Sequence, residues 1–340
     1  MKIQKGVSLK KYNTFHVDVI ANRLITIEDS RDLLSSDITP YLKDTNILFL
    51  GRGSNTLFTK DFEGTIFLLR NTGIEIEQED SEETVVKVNA GVDWNDLVLW
   101  STKANLLGLQ NLIDIPGNVG SSPIQNIGAY GVEIKEYIEG VKIYNLEDGK
   151  EQILTNEECH FGYRDSVFKN ELKDKVVITQ VILKLKKYKG ILDDRYIEYA
   201  GIKEKIGDRE VDLNSLLQIV RDIRKEKLPP IEEYGSCGST FKNLLVDINK
   251  YKELEQKFVG LPSFETEQKD IVKIPTAYIL DKLGWKNRRE RNVGTWIYHP
   301  LIVTNYGGAS GKEILAFILK MQDNFKEHTG LYLEPEINIF

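Results

Sequence analysis

The 340-residue chain predicts an α+β fold in two or three lobes, and three features lead there. Strand-like and helix-like segments follow one another without the βαβα rhythm of a doubly wound sheet. From Val211 the pattern shifts to helical spacing, which gives a candidate boundary where the chain reaches Leu228-Pro229-Pro230. The length exceeds one average domain, and 41% hydrophobic with 29% charged residues is a globular balance.

Taken in order, residues 16–29 and 45–69 read as short strands around a small helix near 30–36. ETVVKVNA (83–90) alternates like a strand. Beyond Gly91, the residues Trp94, Leu97, Val98 and Leu107 stand at helical spacing with Asp93 as the cap. VKIYNLEDGKEQIL (141–154) has a hairpin pattern, and KVVITQVILKLKK (175–187) is a long β-rich run. Leu213, Leu216, Leu217, Val220 and Ile223 share one helical face, followed by Arg221, Arg224, Lys225 and Lys227 until the two prolines end the helix. Ser310 and Glu313 form a capping box for a helix whose expected apolar face is Ile314, Leu315, Ile318, Met321 and Phe325. LYLEPEINIF (331–340) returns to strand-like alternation.

Charge and composition narrow the function classes. A net charge of −7 disfavours nucleic acid and anionic membranes as partners, so a dissolved small molecule is the expected target. No apolar leader and no run of about 18 apolar residues is present, so a cytoplasmic protein is expected, taken here as a monomer. Cys159 and Cys237 make no CxxC pair and the histidines lack HExxH spacing, so no disulfide framework and no metal site is expected.

Two glycine-rich loops carry the chemistry. LIDIPGNVGSSPIQNIGAYG (112–131) holds Gly117, Gly120, Gly128 and Gly131 with Pro116 and Pro123, beside the polar side chains of Ser121, Ser122, Gln125 and Asn126. Such a loop can turn backbone N–H groups towards a pyrophosphate or sugar, or it can be an Ω-loop without a ligand. LFLGRGSNTLF (48–58) places Gly51, Gly53, Ser54 and Asn55 after the apolar run Ile47 to Leu50, expected as a buried strand. Neither GxxxxGK[ST] nor GxGxxG is present, so the ATPase and Rossmann readings lose their support, while a tight turn stays open. Two phosphate-friendly loops in one chain favour a dinucleotide.

Other candidates are more dispersed. Gly238 to Asn243, following Gly235-Ser236-Cys237, is a third polar loop that presents Ser239, without the GxSxG elbow of a hydrolase. Cys237 with His160 or His299 could make a thiol dyad, or Cys237 could be a small buried hydrophobe. FGYRDS (161–166) sets Arg164 beside Asp165, as a structural ion pair or as a carboxylate clamp. Glu334 and Glu336 flank Pro335 among apolar neighbours, which permits the partial burial that suits a proton donor or polariser. Lys227 could hold a phosphate or carboxylate, and Tyr199 could stack on a base.

In order, NTF (13–15), GRGSN (51–55), IPGNVGSSPIQNIGAYG (115–131), FGYRDS (161–166), KLPP (227–230), GSTFKN (238–243) and LEPE (333–336) resemble the UDP-N-acetylenolpyruvoylglucosamine reductases. These are flavin enzymes that complete UDP-N-acetylmuramate in bacterial cell-wall synthesis, and the resemblance spans nearly the whole chain. It implies FAD held in the manner of the vanillyl-alcohol-oxidase (PCMH-type) flavoproteins by two lobes, 1–70 (with 331–340 returning nearby) and 71–227. A third lobe, 228–330, would bind the UDP-sugar. NADPH would reduce the flavin and leave before the enolpyruvyl sugar enters the same pocket.

Carried over by motif, Gly51, Arg52, Gly53, Ser54 and Asn55 serve the FAD pyrophosphate, while Pro116, Gly117, Gly120, Ser121 and Gly128 line the flavin. Ser239 is implied as proton donor, with Arg164 and Glu336 on the enolpyruvyl carboxylate, and Tyr130, Tyr163, Tyr199, Lys227 and Asn243 bind substrate. Tyr199 suggests the subgroup with a tyrosine-bearing loop over the nucleotide. Thr240 stands where an aromatic is common, Leu244 replaces a proline, and Asn338 lies where an arginine often assists the flavin. Other oxidases of the same fold and a non-catalytic nucleotide sensor are the rival readings.

Overall fold

The computed structural model describes residues 1–340. The chain forms two compact units, residues 1–7, 21–52 and 63–226 in one, and 8–20, 53–62 and 227–340 in the other. The α+β expectation holds: both units mix sheets with a few helices.

In the first unit, a four-stranded sheet runs in the order Lys2–Ser8, Ile20–Ile27, Phe62–Leu69, Ile47–Leu50. Ile47–Leu50 pairs in parallel with Phe62–Leu69. Because it is the edge strand, only Leu50 is fully buried, where a buried strand was expected. The second sheet runs Glu151–Thr155, Ile138–Asn145, Val176–Lys187, Glu83–Asn89, Ile74–Glu79, all antiparallel, with Leu106–Leu107 against the end of the long strand. Val86, Val88, Val141, Val181, Leu183 and Leu185 belong to the large core that this sheet shares with two helices. Helix Trp94–Lys103 contributes Leu97 and Val98, and its cap is the expected one, with the Asp93 carboxylate accepting from Asn95 N at 2.9 Å. Helix Leu213–Lys227 buries all five residues of its expected face, so apolar spacing alone located this helix correctly.

The second unit contains a sheet in the order Gly235–Ser236, His299–Asn305, Val293–Trp296, Arg289–Glu290, and a three-stranded sheet Leu244–Asp247, Ile271–Ile274, Phe264–Glu265. Helix Gly311–Thr329 starts at the expected capping box, in which Ser310 Oγ accepts from Glu313 N and the Glu313 carboxylate accepts from Ser310 N. Phe317 is buried on this helix, whereas Leu315 is only half-buried. The C-terminal segment is less regular than its alternation suggests, since only Asn338–Ile339 is a strand, parallel to Thr56–Leu57. Pro335 lacks the N–H that would extend a ladder through this point, and it makes a single bridge to Phe241.

Candidate active site

In the first unit, the two glycine-rich stretches come together. A side-chain carbon added at Gly51 would lie 3.2 Å from Asn118 Oδ1 and 4.0 Å from Ser121 Cβ. The IPGNVG loop is stitched to the end of strand Glu83–Asn89: Val119 N donates to Val92 O and Gly120 N to Ala90 O, both at 2.9 Å. Ser121 N and Ser122 N donate to Asn118 O and Val119 O at 3.0 Å. These four amides are occupied within the chain, so residues 119–122 have no main-chain N–H left for a ligand. Asn118 Nδ2 donates to Gly91 O at 2.9 Å, while its buried Oδ1 has no partner. Arg52 is ion-paired with Asp93, the same carboxylate that caps helix Trp94–Lys103.

Around the second half of that loop, Arg164 has φ +52° and donates through Nη2 to Gly128 O at 2.7 Å, with its guanidinium 5.5 Å from the Tyr163 ring centre. Asp165 receives Ser166 N and Asn170 Nδ2, each at 3.0 Å, rather than forming the simple local pair one expects of adjacent Arg and Asp. Tyr130, with φ +51°, meets Tyr199 edge to face at 5.1 Å and 86°. Burial pushes the Tyr130 phenol up, opposed by Arg224, whose side chain hydrogen-bonds to it. Arg224 Nη2 donates to Asp114 O at 2.9 Å, and its sealed Nε has no acceptor.

Sequence reasoning gave no role to Asn118 or Arg224. The signal for Arg224 was available, since it stands four residues after Val220 on the apolar stripe of its helix, where an arginine requires a reason to be. Together these orphans are one acceptor and one donor sealed beside the glycine-rich loop. A dinucleotide rich in hydroxyls and in phosphate and carbonyl oxygens supplies both complements, so the residues fit FAD.

In the second unit, the loop of Ser239 runs alongside the C-terminal segment. Lys242 N donates to Glu334 O at 3.0 Å and Glu336 N to Thr240 O at 2.8 Å, on either side of the Phe241–Pro335 bridge. Glu336 is therefore tied through its main chain to Thr240, the residue that follows Ser239. Thr240, fully buried, fixes the loop from below by donating its N–H to Leu301 O at 2.8 Å. Gly53 has φ +63°, and a side-chain carbon there would sit 2.2 Å from Tyr12 O. Asn243 Oδ1 accepts from Thr276 N at 3.2 Å, at the start of helix Thr276–Lys282.

Lys227 and Lys286 are both close enough to His299 to act on its charge. Burial first, and then these two cations, lower the His299 pKa from 6.5 to about 4. Cys237 Sγ rests against Thr14 Oγ1 at 3.5 Å and Thr56 O at 3.6 Å, and burial pushes its thiol up to about 12. A thiol so protonated at neutral pH is not a nucleophile, and the small-hydrophobe reading fits it.

Fold and loops together define an FAD-binding oxidoreductase: the family description "FAD binding domain" matches residues 39–155. A second description, "UDP-N-acetylenolpyruvoylglucosamine reductase, C-terminal domain", matches residues 229–340. The chain belongs to the UDP-N-acetylenolpyruvoylglucosamine reductase family. It is 37% identical to the enzyme of that name from Flavobacterium johnsoniae over all of both chains, and 33% identical to that from Pseudomonas aeruginosa over 100% of this chain and 99% of the other. The crystal structure of the Thermus caldophilus reductase shares its fold, with a TM-score of 0.69 at 23% identity over 100% of this chain and 99% of that one. No helix is long and apolar enough to cross a membrane.

Proposed function

We propose that this chain reduces the enolpyruvyl ether of UDP-N-acetylglucosamine to UDP-N-acetylmuramate for peptidoglycan, using NADPH. The observation that supports the reading is the hydrogen bond from Glu336 N to Thr240 O, one residue from Ser239, within a chain of this family. FAD, when bound, would supply the redox chemistry, the passage of a hydride from NADPH to the terminal carbon of the enol ether. Gly51, Arg52, Gly53, Ser54 and Asn55 hold the pyrophosphate, mainly through main-chain groups, and Pro116, Gly117, Gly120, Ser121 and Gly128 line the flavin side.

Hydride addition leaves carbanion character on the carbon beside the substrate carboxylate. Arg164, steadied by Gly128 O, holds that carboxylate and the charge developing next to it. Ser239 gives its proton to this carbon, completing addition of H₂ across the double bond. Glu336 polarises the carboxylate end. Tyr130, Tyr163, Tyr199, Lys227 and Asn243 bind the sugar nucleotide, with Tyr199 on the loop of the tyrosine-bearing subgroup. The lobes are 1–70 with 331–340, 71–227 and 228–330, and the enzyme works as a cytoplasmic monomer on a dissolved substrate.

The test is Ser239→Ala, followed in two half-reactions by stopped-flow absorbance. Flavin reduction by NADPH stays nearly intact, and reoxidation by the enolpyruvyl sugar slows by about three orders of magnitude. Equal loss in both half-reactions would make the serine structural. Flavin oxidation indifferent to the enolpyruvyl sugar would remove the substrate assignment.

A further inference from the structure

Asn55 lies in the glycine-rich loop, and the simplest use for its side chain is another hydrogen bond to a phosphate oxygen. Its amide does something else. Asn55 Nδ2 donates to the main-chain carbonyl of Glu336 at 3.1 Å. Two residues further along the same tail, Asn338 N donates back to Asn55 O at 2.9 Å, with Asn338 Nδ2 on the same oxygen at 3.3 Å. The strand pair that follows is only two residues long on each side, Thr56–Leu57 against Asn338–Ile339. So short a parallel pair is weak by itself. On its other side the tail meets Pro335, which has no N–H to give.

The Glu336 main chain is thus gripped at two points: its N–H by Thr240 O, next to Ser239, and its carbonyl by the Asn55 amide. We propose that Asn55 is a positioning residue, whose side chain holds the Glu336 main chain against Thr240, next to Ser239, and so links the glycine-rich loop to the reacting groups. The proposal rests on the reading of Ser239 and Glu336 given above. Loss of the amide frees the peptide after Glu336 to rotate, and the carboxylate on that residue swings with it. Misplacement of a reacting group by about 1 Å costs on the order of a hundredfold when complete, and about tenfold is expected where the Thr240 bond remains.

The test uses the FAD-loaded enzyme. Asn55→Ala retains the main-chain amide; measured per bound flavin, reoxidation by the enolpyruvyl sugar slows about tenfold more than flavin reduction by NADPH does. Because Asn55 acts through Glu336, Asn55→Ala adds nothing to Glu336→Gln: the double variant reoxidises at the rate of Glu336→Gln alone. Loss of FAD with normal reoxidation per bound flavin would make Asn55 a phosphate ligand only and overturn the proposal, as would additive losses in the double variant. If Glu336→Gln itself reoxidises at the wild-type rate, it is the underlying assignment of Glu336 that fails. Should Asn55→Ala not fold, Asn55→Thr, a strand-compatible residue too short to reach the carbonyl, enters the same cycle.

Discussion

Replacing His299 tests the electrostatics of the second unit in a way that needs no substrate. The imidazole is half-buried, Nδ1 accepts Leu301 N at 3.3 Å, and Lys227 and Lys286 are its cationic neighbours. Burial and these charges together bring its pKa from 6.5 down to about 4. Between those two values the unfolded chain binds a proton that the folded protein refuses, so stability is fully present above pH 6.5 and is lost as pH falls towards 4. At about 1.36 kcal/mol for each tenfold in proton affinity, the whole fall corresponds to about 3 kcal/mol, and to about 2 kcal/mol by pH 5. Partial solvent access of the ring reduces the expected loss at pH 5 to about 1 kcal/mol. Urea unfolding of wild type and His299→Gln at pH 7.5 and pH 5.0 measures this directly, since glutamine does not titrate. The gap between the two proteins should shift by about 1 kcal/mol in favour of the variant on acidification, with unchanged m-values. A gap that does not move, or one that moves in favour of wild type, would refute the assignment of a neutral, proton-refusing His299.

Two further outcomes follow from close packing. Gly53→Ala places a methyl group 2.2 Å from Tyr12 O at φ +63°, and urea unfolding should show a loss of at least about 2 kcal/mol; a variant as stable as wild type would mean that the loop relaxes freely. Cys237, with its thiol near pKa 12, should resist iodoacetamide at pH 7.5 in the folded protein and react once unfolded, and rapid alkylation accompanied by loss of activity would restore the thiol-enzyme reading.

Local pattern sufficed wherever an element is defined by its own residues. The five apolar positions of helix Leu213–Lys227, the Asp93 cap and the Ser310–Glu313 box were all readable, because helical period and capping act within a few residues. Leu315 and Phe317 stand about 200° apart on the helix, at opposite edges of the stripe of Ile314, Ile318, Met321 and Phe325, and which edge is covered is a matter of packing. Ile47–Leu50 looked like a buried strand, yet its burial depends on its place at the sheet edge, which no stretch of four residues encodes. Likewise the amides of residues 119–122 looked available for a ligand, yet Val92 O and Ala90 O take the first two and the loop's own Asn118 O and Val119 O take the others.

Capped and periodic helices, the glycine-rich loops and, through motifs spread over most of the chain, the family were legible residue by residue. Only the tertiary structure brought Glu336 alongside Thr240, set the Asn55 amide on the Glu336 carbonyl, and left Arg224 Nε and Asn118 Oδ1 sealed without partners. The physical reason is range. Helical period, caps and turns are fixed by neighbours in the chain, whereas a hydrogen bond between residues 55 and 336 depends on the path of everything folded between them.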